Sequence, residues 1–184
     1  MRAEWIAAAV LAAIGLYAIV VFNRLIRARN LVREGWSGID VQLLRRSDLI
    51  PNLIEAVKGY AGHERALFAE IAAKRTQALN TTGVTSRAAA EQDLQASVRR
   101  MLAVAEAYPE LKASRNFLEL QKQLAELEDQ LQLARRYYNG TVRDYNIGIQ
   151  SFPDLLLARV FSFRDENYFE TDDNAVPSVQ LASA

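Results

Sequence analysis

The sequence predicts an all-α protein, with an N-terminal transmembrane helix followed by an elongated antiparallel bundle of three to four long helices. Residues 5–22 carry no charged side chain. Beyond them, apolar residues recur at helical spacing almost to the end of the chain, ending in a long heptad seam. No stretch of convincing length alternates with the period of a strand. At 184 residues there is room for one domain and a short appendage. The organisation expected is an anchor segment over residues 1–23, a helical bundle over 24–163 and an acidic, partly disordered tail over 164–184.

The apolar run at 5–22 spans roughly 27 Å at about 1.5 Å per residue, close to a bilayer core of about 30 Å. A cleavable signal peptide is its rival. Against that stand Glu4, in what would be a basic leading region, and Phe22-Asn23-Arg24-Leu25, which offers no small-residue cleavage site. Arg24, Arg27, Arg29 and Arg33 follow the span, against Arg2 before it. The positive-inside rule then predicts an outer N-terminus, a cytoplasmic bundle and a location in the inner membrane. The same four arginines are placed to contact anionic headgroups. Ala8, Ala12 and Gly15 share one face of the span, where small residues let membrane helices approach closely. An alanine-rich anchor also produces such spacing by chance.

An apolar stripe runs on through Val32, Trp36, Ile39 and Leu43 to Ile50, Ile54, Val57, Ala61, Leu67 and Ile71. It predicts helices over 24–47 and 51–80, with a break or sharp kink at Pro51, which cannot donate to Ser47. Asn80-Thr81-Thr82-Gly83 ends that segment. A helix over 86–107 turns Leu94, Val98, Leu102 and Ala105 inward and stops before Pro109. The next runs over 114–152. Its seam of Phe117, Leu120, Leu124, Leu127, Leu131, Ala134, Tyr138, Thr141, Tyr145, Gly148 and Phe152 alternates steps of three and four. A short helix over 154–161 follows, and from Thr171 the acidic composition predicts disorder.

The most unusual stretch is ARRYYNGTVRDYN, residues 134–146. Arg136, Asn139, Arg143, Asn146 and Gln150 make a polar stripe, and Tyr138, Val142, Tyr145 and Ile149 an apolar one beside it. Asn and Tyr are weak helix formers, so something other than propensity selects them. Asp48, Asn52 and Glu55 share a face elsewhere and are chemically complementary. The expectation is that the two stripes dock, within one chain or between copies, with arginine forks on carboxylates fixing register. A solvated stripe of unconnected charges is the plainer alternative.

Little in the sequence points to chemistry. Lys and Arg total 22 and Asp and Glu 22, so no net charge argues for nucleic acid. The basic–aromatic group Arg135, Arg136, Tyr137 and Tyr138 is offset by neighbouring acids. Cysteine is absent, which removes disulfides, thiolate metal sites and cysteine nucleophiles. His63-Glu64 lacks the second histidine a zinc-protease helix needs, since Leu67 stands there. Gly35-Trp36-Ser37-Gly38 does not match a nucleophile elbow. Asn139-Gly140-Thr141 reads as a glycosylation sequon but falls inside a helix. No glycine-rich phosphate loop is present. The expectation is a chain with no catalytic residue, cofactor or metal.

Several long blocks carry a resemblance: RNLVREGWSGID (29–40), DVQLLRRSDLIPNLIEAVKGYAGHE (40–64), YPELKASRNFLELQ (108–121), ARRYYNGTVRDYN (134–146) and IQSFP (149–153). In that order they resemble the LemA family of bacterial membrane proteins. The resemblance implies an N-terminal anchor, an antiparallel bundle of long helices and no known catalytic activity. Some members of that family are tied to membrane invagination in magnetosome-forming bacteria, and others neighbour membrane stress proteases. The function expected is a membrane-anchored scaffold that forms homo-oligomers and shapes membrane or recruits other membrane proteins. The alternative is an adaptor, for a stress protease for example, that does not self-assemble. An extended 114–152 helix also predicts a rod about 58 Å long.

Overall fold

The computed structural model describes residues 2–169, helices with their connecting turns and an irregular segment from 163 to 169. The elements are α1 (Arg2–Lys58), α2 (Arg65–Asn80), α3 (Val84–Ala105), α4 (Pro109–Lys112), α5 (Arg115–Gln150) and α6 (Asp154–Val160). The disorder expected from Thr171 onward lies outside the described residues. Two compact units divide them: residues up to 39 with 133–167, and residues 40–132 with the start of the tail at 168–169.

In the first unit, α1 and α5 pack antiparallel. Leu25 faces Gly148 and Gly35 faces Tyr138, so numbers rise along one helix as they fall along the other. Gly35 sets the closeness of that pairing: a Cβ there would lie 3.1 Å from the Tyr138 Cα and 3.4 Å from Thr141 Oγ1. A side chain at 35 would push the two backbones apart. The Trp36 and Tyr138 rings meet with centroids 5.8 Å apart. Val21, Leu25, Val32, Tyr138, Val142, Tyr145 and Ile149 are buried, as the two apolar stripes require. Upstream, the same helix carries the apolar run almost bare, with an 18-residue window of mean hydropathy 2.5 that is 6% buried. It is the one helix among the described residues long and apolar enough to cross a membrane.

α6 ends at a turn in which the Phe163 amide donates to the Ala158 carbonyl at 2.9 Å and the Ser162 amide to the Arg159 carbonyl at 3.2 Å. Ser162 takes a left-handed φ of 56° to close it. From there the chain returns as a strap, residues 163–167.

In the second unit, the rest of α1 packs with α2, α3, α4 and the first part of α5 around Ile50, Leu53, Val57, Ile71, Leu94, Met101, Leu111 and Phe117. Pro51 neither breaks nor ends its helix, contrary to the sequence expectation: α1 is helical through it to Lys58. The proline leaves the Ser47 carbonyl without its usual amide, and the Arg75 Nε from α2 donates to that oxygen at 2.7 Å. The break falls instead at 59–64, where Gly59 and Gly62 weaken the helix and Ala61, fully buried, pins the turn to the core. The expected 51–80 helix is therefore the end of α1 and the whole of α2. Gly83, at φ 87°, supplies the turn into α3. Between α2 and α3, hydrogen bonds from Lys74 and Ser97 hold the Glu70 carboxyl down at about 2. The α5 seam is buried at Phe117, Leu120, Leu131, Tyr138 and Tyr145, but its last expected member, Phe152, lies beyond the helix and is 81% exposed.

The Arg75–Ser47 bond gives a direct test. Arg75→Ala is expected to cost about 1 kcal/mol, at the lower end for an orphaned buried carbonyl because water reaches part of this site. Adding Pro51→Ala, which restores an amide donor four residues on, should recover most of that loss in chemical denaturation.

Candidate functional site

The residues of the 134–146 stretch hold a backbone. The Tyr138 hydroxyl donates to the Asn167 carbonyl at 2.7 Å and the Tyr145 hydroxyl to the Arg164 carbonyl at 3.0 Å. Asn146 pairs with Glu166 as one peptide group pairs with another. Its Nδ2 donates to the Glu166 carbonyl at 2.9 Å, and its Oδ1 accepts from the Glu166 amide at 2.9 Å. Gln150 Nε2 donates to Asp165 Oδ1 at 3.3 Å. A strap offers unpaired amides and carbonyls, and the helix supplies matching side chains along one side, Tyr138 and Tyr145 two turns apart and Asn146 and Gln150 one turn apart. That is a physical reason for asparagine and tyrosine where leucine would make a better helix.

Both phenols sit above the ordinary tyrosine range. Burial, reinforced by the Glu166 carboxylate, pushes Tyr138 up to about 12 and raises Tyr145. An unfolded phenol loses its proton near pH 10, whereas the folded Tyr138 keeps it, so the folded state binds more protons between those values. Stability is therefore complete below about pH 10 and falls on the alkaline side by about 1.4 kcal/mol per pH unit for such a group. Alkaline denaturation should coincide with the appearance of tyrosinate absorbance, and Tyr138→Phe should flatten the dependence.

At the other end of the same unit, Asp154, buried at the start of α6, accepts from the Tyr17 hydroxyl at 2.9 Å and pairs with Arg24. Phe22 packs edge-on against Phe161 and Phe163, at 4.8 and 5.9 Å. The Arg29 guanidinium lies 5.4 Å from the centre of the Phe163 ring. Of the four arginines expected at headgroups, Arg24, Arg27 and Arg33 are exposed and Arg29 half-buried. Ala8, Ala12 and Gly15 are exposed, with open space around Gly15.

The second unit holds an ionic cluster that sequence reasoning missed. Arg46, 3% exposed, donates to Glu91 Oε2 at 2.5 Å and Glu128 Oε1 at 2.8 Å. Arg87 reaches Glu91 Oε1 at 3.1 Å, donates to the Leu79 carbonyl at 3.2 Å and lies 3.7 Å from Asp40. Glu91 is thus shared by two guanidiniums while itself 1% exposed. Burial opposes the Arg46 charge, but Glu128 and Glu91 more than offset it and its pKa is raised. Beside the cluster opens a cavity of about 480 Å³, lined by Ile50, Leu94, Val98, Leu102 and Leu124 together with polar side chains that include Arg46 and Glu128. The signal was in the sequence: Arg46 follows Leu43 by three, Glu91 precedes Leu94 by three, and Glu128 precedes Leu131 by three. Arg46 falls within its apolar stripe, Glu91 lies one turn before the stripe of α3, and Glu128 stands next to the α5 seam.

The two stripes expected to dock fall in different units. Asp48 lies 3.6 Å from Arg75, Glu55 receives Lys58 at 3.2 Å and Asn52 is exposed. Asn146 is spent on Glu166, Arg143 lies 3.2 Å from Asp144, Arg136 is exposed and Asn139 half-buried. A buried carboxylate–guanidinium network is formed by Arg46, Arg87, Glu91 and Glu128. Among the described residues no group of three or more metal-ligating side chains converges.

The fold and these contacts define a class: a helical bundle built onto a long, largely bare apolar N-terminal helix. Within it, the chain belongs to the LemA family, whose family model matches residues 35–181. It is 25% identical to magnetosome protein MamQ 2 of Paramagnetospirillum magneticum over 160 residues, covering 73% of this chain and 59% of that protein. It is 22% identical to MamQ of Magnetospirillum gryphiswaldense over 159 residues, 72% of this chain and 58% of that one. With Protein LemA of Metamycoplasma hominis it shares 27% identity over 132 residues, 71% of this chain and 60% of that one. The chain thus spans about three fifths of the length of these relatives.

Proposed function

We propose that the chain is a non-enzymatic, membrane-anchored scaffold whose helices self-associate and thereby organise or shape the membrane or recruit partners to it. The observation that carries this reading is the N-terminal part of α1, where only 6% of an 18-residue apolar window is made up of buried residues. So much bare apolar surface is stable in lipid and not in water. Within the first unit, α1 passes without a break from that segment into the pairing with α5. The arginines after the segment favour a cytoplasmic bundle in the inner membrane of a bacterium. The exposed Ala8, Ala12 and Gly15 face supplies a surface on which spans of two copies can pack. The buried charges serve positioning in this reading: guanidinium groups do not give up protons near neutrality, and here they are matched by carboxylates. Two relatives are named as magnetosome proteins, which is compatible with a role in organising cell structure.

Mass photometry of the full chain in mild detergent tests it. A discrete high-order species, dispersed by Gly15→Ile, is expected. A monomer at all concentrations would favour the adaptor alternative, in which the same anchored bundle serves another membrane protein without assembling.

A further inference from the structure

We propose that α6 and its flanking turns form an interfacial membrane element, lying among the lipids of the leaflet from which the apolar part of α1 emerges. This rests on the reading of residues 5–22 as a span. The placement comes from contacts within one unit: Asp154 accepts from Tyr17, and Phe161 and Phe163 pack on Phe22. Tyr17 and Phe22 belong to the last turns of the apolar segment, so α6 sits at their level.

The chemistry of α6 fits that depth. It buries Asp154 and Ala158 against the protein and leaves Leu156 56% and Val160 74% exposed, and Phe152 in the preceding turn is 81% exposed. Phe161 adds a ring 51% exposed. In the same turns of α1 as Tyr17 and Phe22, Leu16, Ile19 and Val20 are also bare. A soluble protein would leave few such side chains grouped within residues 152–161. Arg27 and Arg159, both exposed, supply cations at the headgroup level.

Asp154 shows how a carboxylate is tolerated there. It is 3% exposed, and Tyr17 and Arg24 reach it from either side along α1, so it is presented to neither lipid nor water. The occupant of the exposed face is thus the acyl–headgroup boundary of a lipid leaflet, recognised by apolar area framed by arginine. Because α6 sits at one end of the span, it adds volume to one leaflet only.

The chain has no cysteine, so single spin labels report cleanly. Full-length protein carrying Leu156→Cys or Val160→Cys, with Val10→Cys and Glu126→Cys as references, is reconstituted into phosphatidylcholine–phosphatidylglycerol vesicles. Collision with oxygen and with a water-soluble nickel chelate is then measured. The proposal expects labels at 156 and 160 to lose nickel accessibility and gain oxygen accessibility, as at 10, while 126 stays open to nickel. Labels at 156 and 160 that behave like 126 overturn it and leave the span intact. Labels shielded from both reagents overturn it too, because a second copy would then cover the face. Nickel access at position 10 itself brings down the span and this element together.

Discussion

Replacing Glu91 by leucine will destabilise the second unit by about 3–5 kcal/mol, the range expected when one member of a buried ionic group is removed. Glu91 is the carboxylate common to Arg46 and Arg87, whose side chains are 4% and 7% exposed. Without it, both guanidiniums remain buried beside each other with weaker partners: Glu128, 27% exposed, for Arg46, and Asp40 at 3.7 Å for Arg87. The leucine fills similar volume, so the loss isolates charge from packing. A double-mutant cycle with Arg46→Met separates the two contributions, since the pair removed together no longer leaves Arg46 unmatched. The double variant should regain a large share of the stability in urea. If Glu91→Leu unfolds at the same urea concentration as the parent chain, the cluster is not positioning these helices.

That cluster marks the boundary between what the sequence discloses and what it conceals. Fold class was legible because periodicity over long helices is strong. Leu25, Val32, Ile39, Leu43 and Ile50 fall on one stripe and are all buried. Pro51 misled because its effect depends on a residue from another helix: only Arg75, 24 positions later, relieves the Ser47 carbonyl. The stretch at 134–146 was legible as special but not as to its partner. Side-chain stripes suggest side-chain partners, whereas Asn146, Tyr138 and Tyr145 bind main-chain groups, which leave no trace in residue identity. The ionic cluster was readable in principle, as charges on or beside apolar stripes. Looking for complementary polar faces drew attention to Asp48 and Glu55, which lie at the surface.

Asn146→Leu is the corresponding test in the first unit. The substitution keeps the size of the side chain and removes both halves of its pairing with Glu166, leaving an amide and a carbonyl of the strap facing an apolar group. Each orphaned group costs about 1–3 kcal/mol if it stays buried. Detachment limits that cost, because Glu166 is only half-buried and its backbone can reach water once the strap lifts. The cheaper outcome is therefore local. Residues 164–167 leave α5, the hydroxyls of Tyr138 and Tyr145 lose their carbonyl partners, and the remainder of the bundle stays folded. Hydrogen exchange should show the Glu166 amide losing about 10-fold to 100-fold of its protection, as about 1.4 kcal/mol corresponds to each tenfold. Protease cleavage should appear after Arg164. Asn146→Asp discriminates further: the carboxylate can still accept from the Glu166 amide but cannot donate to its carbonyl, so it should recover part of the protection, whereas a merely solvated asparagine would give parent-like exchange in both variants.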